Sequence, residues 1–165
     1  VSGRTGVSHY TPLADALIFN IFGEVGAIES YGGEDIQINE RFFLGGNSLR
    51  GFEQAGVGPR DLGTNDSLGG RKFYRASLEL TFPIFFVPEE LGIKGHTFTD
   101  AGSLFDIEDE SGSDITDEAS IRTSAGVGLS WDSPFGPIRF DFATPITKED
   151  FDEEEVFRFN FGTRF

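Results

Sequence analysis

Residues Val156 to Phe165, VFRFNFGTRF, decide the fold class. Phe157, Phe159, Phe161, Thr163 and Phe165 fall on one face of an extended chain. Arg158, Asn160, Gly162 and Arg164 fall on the other. Period two is the strand period, and the stretch has the length of a tilted membrane strand, roughly 9–11 residues. A soluble sheet alternates too, but its apolar face is seldom almost all Phe. Apolar residues outward, with polar residues or Gly inward, is the pattern of a membrane barrel.

The same pattern recurs upstream. In Ile138–Pro145, Ile138, Phe140 and Phe142 oppose Arg139, Asp141 and Ala143. In Ile121–Asp132, Ala125, Val127, Leu129 and Trp131 oppose Arg122, Ser124, Gly126, Gly128 and Ser130. In Tyr74–Ile84, Leu78 and Leu80 oppose Ser77 and Glu79. In Ala16–Ile28, Leu17, Phe19, Ile21, Val25 and Ala27 oppose Asn20, Glu24 and Gly26. Ile93–Phe105 reads as a weaker strand with Asp100 inside it, Ile38–Leu44 as a short one, and Val1–Leu13 as one more. Ser133–Gly136 and Pro88–Gly92 read as tight turns. Long polar stretches fill Gly45–Arg71, Asp106–Ser120 and Lys148–Glu155. Short turns on one side and long loops on the other are the habit of outer-membrane barrels. The expected fold is all-β: an antiparallel transmembrane barrel wall of about eight strands, with no domain boundary inside residues 1–165.

Composition excludes other classes. The net charge is −15, which argues against nucleic acid and against polybasic attachment to anionic lipid. There is no Cys, hence no disulfide framework, thiolate metal site or catalytic thiol. No apolar run approaches the roughly 18 residues of a membrane helix. Met is absent and the chain starts at Val1, so it is expected to be a mature product or an excised piece, with any targeting segment already removed. No Walker loop or dinucleotide fingerprint is present, and no cofactor is expected. The acidic Asp106–Glu118 stretch lacks ordered calcium-loop spacing and reads as a solvated, self-repelling loop. His9 and His96 are the two imidazoles. His96 and Asp100 share a strand face, but no nucleophile stands out beside them, so an enzyme is not expected.

The Gly45–Arg71 segment reads GGNSLRGFEQAGVGPRDLGTNDSLGGR. By composition alone, a long flexible loop and an ordered segment fit it about equally. Its wording, however, resembles a family. Leu49, Arg50, Gly51 and Phe52 (LRGF), preceded by FFLGGNS and followed by GVGPRD, are similar to the signature loop of BamA-type outer-membrane assembly factors. The resemblance continues through LGGRKFYRASLELTFP, the FTDAG of Phe98–Gly102, IRTSAGVGLSWDSPFGPIRFDFATPI and the closing FRFNFGTRF. It covers nearly the whole chain, in the family's order, and is similar to forms from alphaproteobacteria.

The resemblance implies the C-terminal half of a sixteen-stranded barrel in the bacterial outer membrane, without the periplasmic POTRA domains. It implies a non-enzymatic role in inserting other barrels. The partners it implies are outer-membrane lipids, nascent β-barrel clients and, in the full-length parent, accessory assembly lipoproteins. It places the signature loop inside the lumen, with Arg50 meeting an inward Asp100 and Glu79. It gives the last strand, Phe157, Phe159, Phe161 and Phe165, two roles: one side of a lateral seam and a C-terminal barrel signal. A translocation pore of the two-partner secretion type, or a small structural barrel, are the other function classes that such a chain fits.

Half a barrel leaves two edges that lipid does not tolerate. Three outcomes are open: a part of a larger barrel, self-pairing of two copies, or closure as about eight strands, a known natural size. In the last case side chains would fill the lumen, and the Arg50–Asp100 contact should be lost or moved to the rim. Whatever the closure, a folded barrel containing this chain should migrate apart from its boiled form on a gel; identical mobility would count against a barrel.

Overall fold

The computed structural model describes residues 1–31, 36–107 and 114–162. In chain order its strands are β1 (Ser2–Ala14), β2 (Leu17–Ile28), β3 (Gly51–Phe52), β4 (Arg60–Asp61), β5 (Asp66–Ser67), β6 (Lys72–Pro83), β7 (Ile93–Phe105), β8 (Ile115–Thr116), β9 (Arg122–Ser133), β10 (Gly136–Thr147), β11 (Glu154–Glu155) and β12 (Phe157–Phe161). The long ones form one seven-stranded sheet in the order β1-β2-β6-β7-β9-β10-β12. Every neighbouring pair in it is antiparallel. Two small sheets, β11-β3 and β5-β4-β8, are built from the loops.

The alternation of the sequence sets the two faces. On one face Leu78, Val127, Leu129, Trp131, Phe142, Phe157, Phe159 and Phe161 are exposed. Directly paired Phe140–Phe159 and Phe142–Phe157 have ring centroids 5.3 and 4.9 Å apart there, the cross-strand contact that stabilises a sheet face. On the other face His96, Asp100, Arg122, Ser124 and Asp141 are buried. Exposed apolar and buried polar residues invert the arrangement of a soluble protein, as a wall between lipid and a polar interior requires. Strands of twelve or thirteen residues are long enough to cross, since roughly 9–11 suffice.

The connections keep their expected asymmetry. Ala16 at φ 60 turns β1 into β2, and Gly136 at φ 126 turns β9 into β10. A one-turn 3₁₀ helix, Glu89–Leu91, closed by Gly92 in the left-handed region, joins β6 to β7. The long loops all lie at the other end of the sheet.

Not every expected strand belongs to the wall. Ile38–Leu44 is not a wall strand: Ile38–Glu40 is a 3₁₀ turn, and only isolated bridges follow, Phe42 with Gly70 and Leu44 with Val57. Arg41 ties the segment to the carbonyls of Ile36 and Leu68, while Phe42 stacks edge-on against Phe73 at 4.7 Å. Its apolar side chains therefore serve the loop core. The opening stretch, by contrast, is a full strand, paired with β2 along its length. Ile93–Phe105, the weaker reading, is a full strand in the middle of the sheet. Closure as an eight-stranded barrel does not occur: β1 and β12 are the two edges and are not paired with each other among the described residues. The acidic residues 108–113 and the last three residues, Phe165 included, lie outside the described residues.

Leu129 stands on the lipid-side face of β9. Leu129→Arg should lower stability by about 2–4 kcal/mol, with less effect if the position lies near an interface. Ser130→Arg, on the opposite face, should cost little. Urea unfolding of the protein in liposomes reads both; equal costs would mean that the faces are assigned wrongly.

Candidate functional site

The loop between β2 and β6 folds back onto the polar face of the wall. Apolar contacts seat it: Leu44, Leu49, Phe52 and Val57 from the loop form one cluster with Phe73 of β6 and Leu104 of β7. Leu49 and Phe52 are fully buried, so the two apolar members of the LRGF motif are its anchors. Between them the chain must bend sharply. Gly51 has φ +94, and a Cβ there would lie 3.0 Å from that of Ser124; only Gly meets both demands at low cost.

That bend points Arg50 into the wall. Its Nε donates to Asp100 Oδ2 at 2.7 Å and its Nη2 to Asp100 Oδ1 at 2.7 Å, a bidentate fork. The Arg50 amide donates to the same carboxylate at 3.1 Å. Nη1 reaches Glu79 Oε2 at 2.5 Å and Nη2 reaches Ser77 Oγ at 2.9 Å. The guanidinium also lies 3.5 Å from the centroid of Phe98, a cation–π contact. The Ser124 hydroxyl donates to the Arg50 carbonyl, and Arg75 Nη1 donates to the Ser48 carbonyl at 3.1 Å. Burial alone pulls the Arg50 pKa down. Asp100, and after it Glu79, more than offset this and leave it above the ordinary arginine value.

Leu49, Arg50, Gly51, Phe52, Asp100 and Glu79 are thus brought together at one place. His96, Phe98 and Asp100 occupy one row of β7. All three are at most 4 % exposed and face the loop side. Phe157, Phe159 and Phe161 are elsewhere, on the lipid-side face of the edge strand.

Sequence reasoning missed three further groups. First, Glu79 is shared: Arg139 Nη2 donates to its Oε2 at 2.8 Å. Arg139 Nε also donates to Asp141 Oδ2 at 2.8 Å, and Asp141 Oδ1 lies 2.6 Å from His96 Nε2. His96 is therefore partnered with Asp141 of β10 and not with Asp100. A chain of hydrogen-bonded polar side chains runs across the wall from Asp100 through Arg50, Glu79, Arg139 and Asp141 to His96. The parity of β10 already placed Arg139 and Asp141 on the polar face, but nothing in the sequence paired them with β6 and β7. Second, Arg122 and Asp152 form a buried ion pair: Nε donates to Oδ2 at 2.9 Å, with both side chains fully buried. Third, the signature loop is joined to the segment before the last strand, with β3 pairing Gly51 to Glu155 and Phe52 to Glu154 of β11.

No group of three or more acidic, His or Cys side chains that could hold a metal ion occurs among the described residues. The arrangement is suited to holding a loop and an edge strand in one position.

Comparison with known proteins gives the same picture of the chain. The family model described as the Omp85 superfamily domain matches residues 2–165. The outer membrane protein assembly factor BamA of Neorickettsia risticii is 34% identical over 148 residues, 90% of this chain and 20% of that protein. Its counterpart from Neisseria meningitidis is 32% identical over 180 residues, 94% of this chain and 23% of that protein. A crystal structure of BamA from Haemophilus ducreyi lacking POTRA domains 1-3 superposes with a TM-score of 0.83 at 30% identity, covering 96% of this chain and 34% of that one. The chain thus spans about a fifth of the length of these curated relatives.

Removing one partner of a buried ion pair leaves the other charge uncompensated, at a cost of about 3–5 kcal/mol. Asp152→Ala should therefore approach that range, because Arg122 has no exposure. Asp100→Ala should cost less, because Arg50 keeps Glu79. The check is the urea midpoint of the two variants in liposomes; the reverse order would show that Asp100 alone carries the Arg50 site.

Proposed function

The chain belongs to the Omp85 superfamily, and on that footing we propose that residues 1–165 are the C-terminal part of the barrel of an outer-membrane assembly factor. It is a wall segment of the bacterial outer membrane, facing lipid on its apolar side. Its activity is the insertion of other β-barrel proteins, without catalysis of a covalent step. Its partners are outer-membrane lipids and nascent β-barrel clients, with accessory lipoproteins joining the full-length protein.

The observation that carries the reading is the Arg50 site. A loop of this length would cost entropy to order, yet it is seated by a buried motif and a shared pair of carboxylates. In this reading Leu49, Arg50, Gly51 and Phe52 hold the loop against the wall, and Asp100 and Glu79 are its receptors. Phe157, Phe159 and Phe161 lie on the edge strand at the seam, where unpaired backbone templates strand addition. Phe165 serves as the C-terminal barrel signal.

Arg50→Ala in the full-length protein should lower the levels of other outer-membrane barrels and slow their insertion, while the variant itself still reaches the membrane. Arg50→Lys should rescue little, because a single ammonium does not reproduce the fork to Asp100 and the bond to Glu79. Unchanged barrel levels, together with ion conductance and secretion of one dedicated client, would favour a two-partner secretion pore instead.

A further inference from the structure

Among the described residues β12 is the last strand of the sheet and pairs with β10. That register runs over five residues, from Phe142↔Phe157 to Ile138↔Phe161. The segment leading into it is held by the signature loop.

Glu153 is the centre of this contact. The Glu53 amide donates to the Glu153 carbonyl at 2.9 Å, and the Glu153 amide donates to the Gly56 carbonyl at 2.9 Å. The approach is so close that a Cβ on Gly56 would lie 2.8 Å from the Glu153 carbonyl oxygen. The Glu153 carboxylate meets Arg60 Nη1 at 3.0 Å and Nη2 at 3.3 Å, and accepts from Asn65 Nδ2 at 3.1 Å. Arg60 is 2 % exposed; its other acceptors are the carbonyls of Asn65 and Ala55 and the Asn65 side-chain oxygen. Glu153 is thus the carboxylate that neutralises a buried arginine of the loop. Downstream, β11 pairs with β3, and the Ala143 amide donates to the Val156 carbonyl at 2.9 Å. The chain from Glu153 to Phe157 therefore passes without a gap from the loop's hydrogen bonds into the edge strand's own ladder.

We propose that Glu153 and Arg60 form a clasp through which the signature loop positions the edge strand β12, so that loop and edge move as one unit. Glu153 is a positioning residue: it acts on β12 through the backbone that follows it. This deepens the assembly reading by naming what controls the edge at which clients would enter, and for that role it rests on that reading. The mechanical coupling does not.

The test is hydrogen exchange of the full-length protein in lipid nanodiscs, wild type against Glu153→Ala, Glu153→Gln, Arg60→Lys and Arg50→Ala. Hydrogen bonds to a charged group contribute enough that Glu153→Ala should speed exchange of the 157–161 amides roughly tenfold or more. The amides of β6 and β7 should stay at their wild-type rates. Glu153→Gln keeps its shape and should give a smaller increase, and it decides the matter if the Ala variant fails to fold. Arg60→Lys keeps the charge but not the two-nitrogen contact to Glu153, so it too should speed exchange of 157–161. Arg50→Ala, which frees the loop from the far side, should also loosen 157–161.

Faster exchange confined to residues 148–155 and the loop, with β12 unchanged, would overturn the clasp. Slower assembly in Arg50→Ala without any change at β12 would leave the assembly reading standing and the clasp refuted. Coupled exchange with normal assembly would do the reverse.

Discussion

A guanidinium can be taken out of water only where carboxylates meet its donors, and the loop side of this wall is organised around that requirement at Arg50. Asp100 supplies a bidentate partner and Glu79 a third contact. Both come from strands of the main sheet, so the loop cannot leave without exposing two charges on the wall as well as one on itself. The apolar cluster of Leu49 and Phe52 against Phe73 and Leu104 gives the burial that makes the ion pair tight. The pair in turn fixes the rotation of the motif, which apolar packing alone would leave less specific.

The two faces of the wall pose opposite problems. Toward lipid, any apolar side chain of fitting size serves, and Phe, Leu and Val are used freely. Toward the interior, each charge needs an assigned partner, and the partners run in a chain. Arg139 shares Glu79 with Arg50 and shares Asp141 with His96. A change at one end therefore alters the electrostatic surroundings of the other. Networks of this kind are worth more than their separate pairs suggest.

How much of this was legible in the residues follows from how local each signal is. Strand faces are set by neighbours two apart, so VFRFNF and RASLELTF revealed their faces directly. The Arg50 site was legible only through family resemblance, because its partners lie 29 and 50 residues away and no spacing rule joins them. Ile93–Phe105 read as weak because its inward row holds Phe98 beside Asp100. A buried face under a loop can mix apolar and charged residues in a way that lipid and open water cannot. Ile38–Leu44 misled in the other direction: its apolar residues are real, but they pack into the loop core. Arg122–Asp152 and Arg60–Glu153 gave no sequence signal, since charges in acidic loops look alike until one of them is buried.

The two edges of the sheet are not equivalent. At β1 the signature loop makes no hydrogen bond to the strand among the described residues. At β12 the loop reaches past three strands of the wall and binds the chain just ahead of the edge. Edge strands expose unpaired donors and acceptors, and proteins manage that hazard by covering, shortening or twisting them. Here the managed edge is tied to a distant ion pair instead of being covered. The position of β12 then depends on whether Arg50 is seated, which makes that edge one a loop can hold or release.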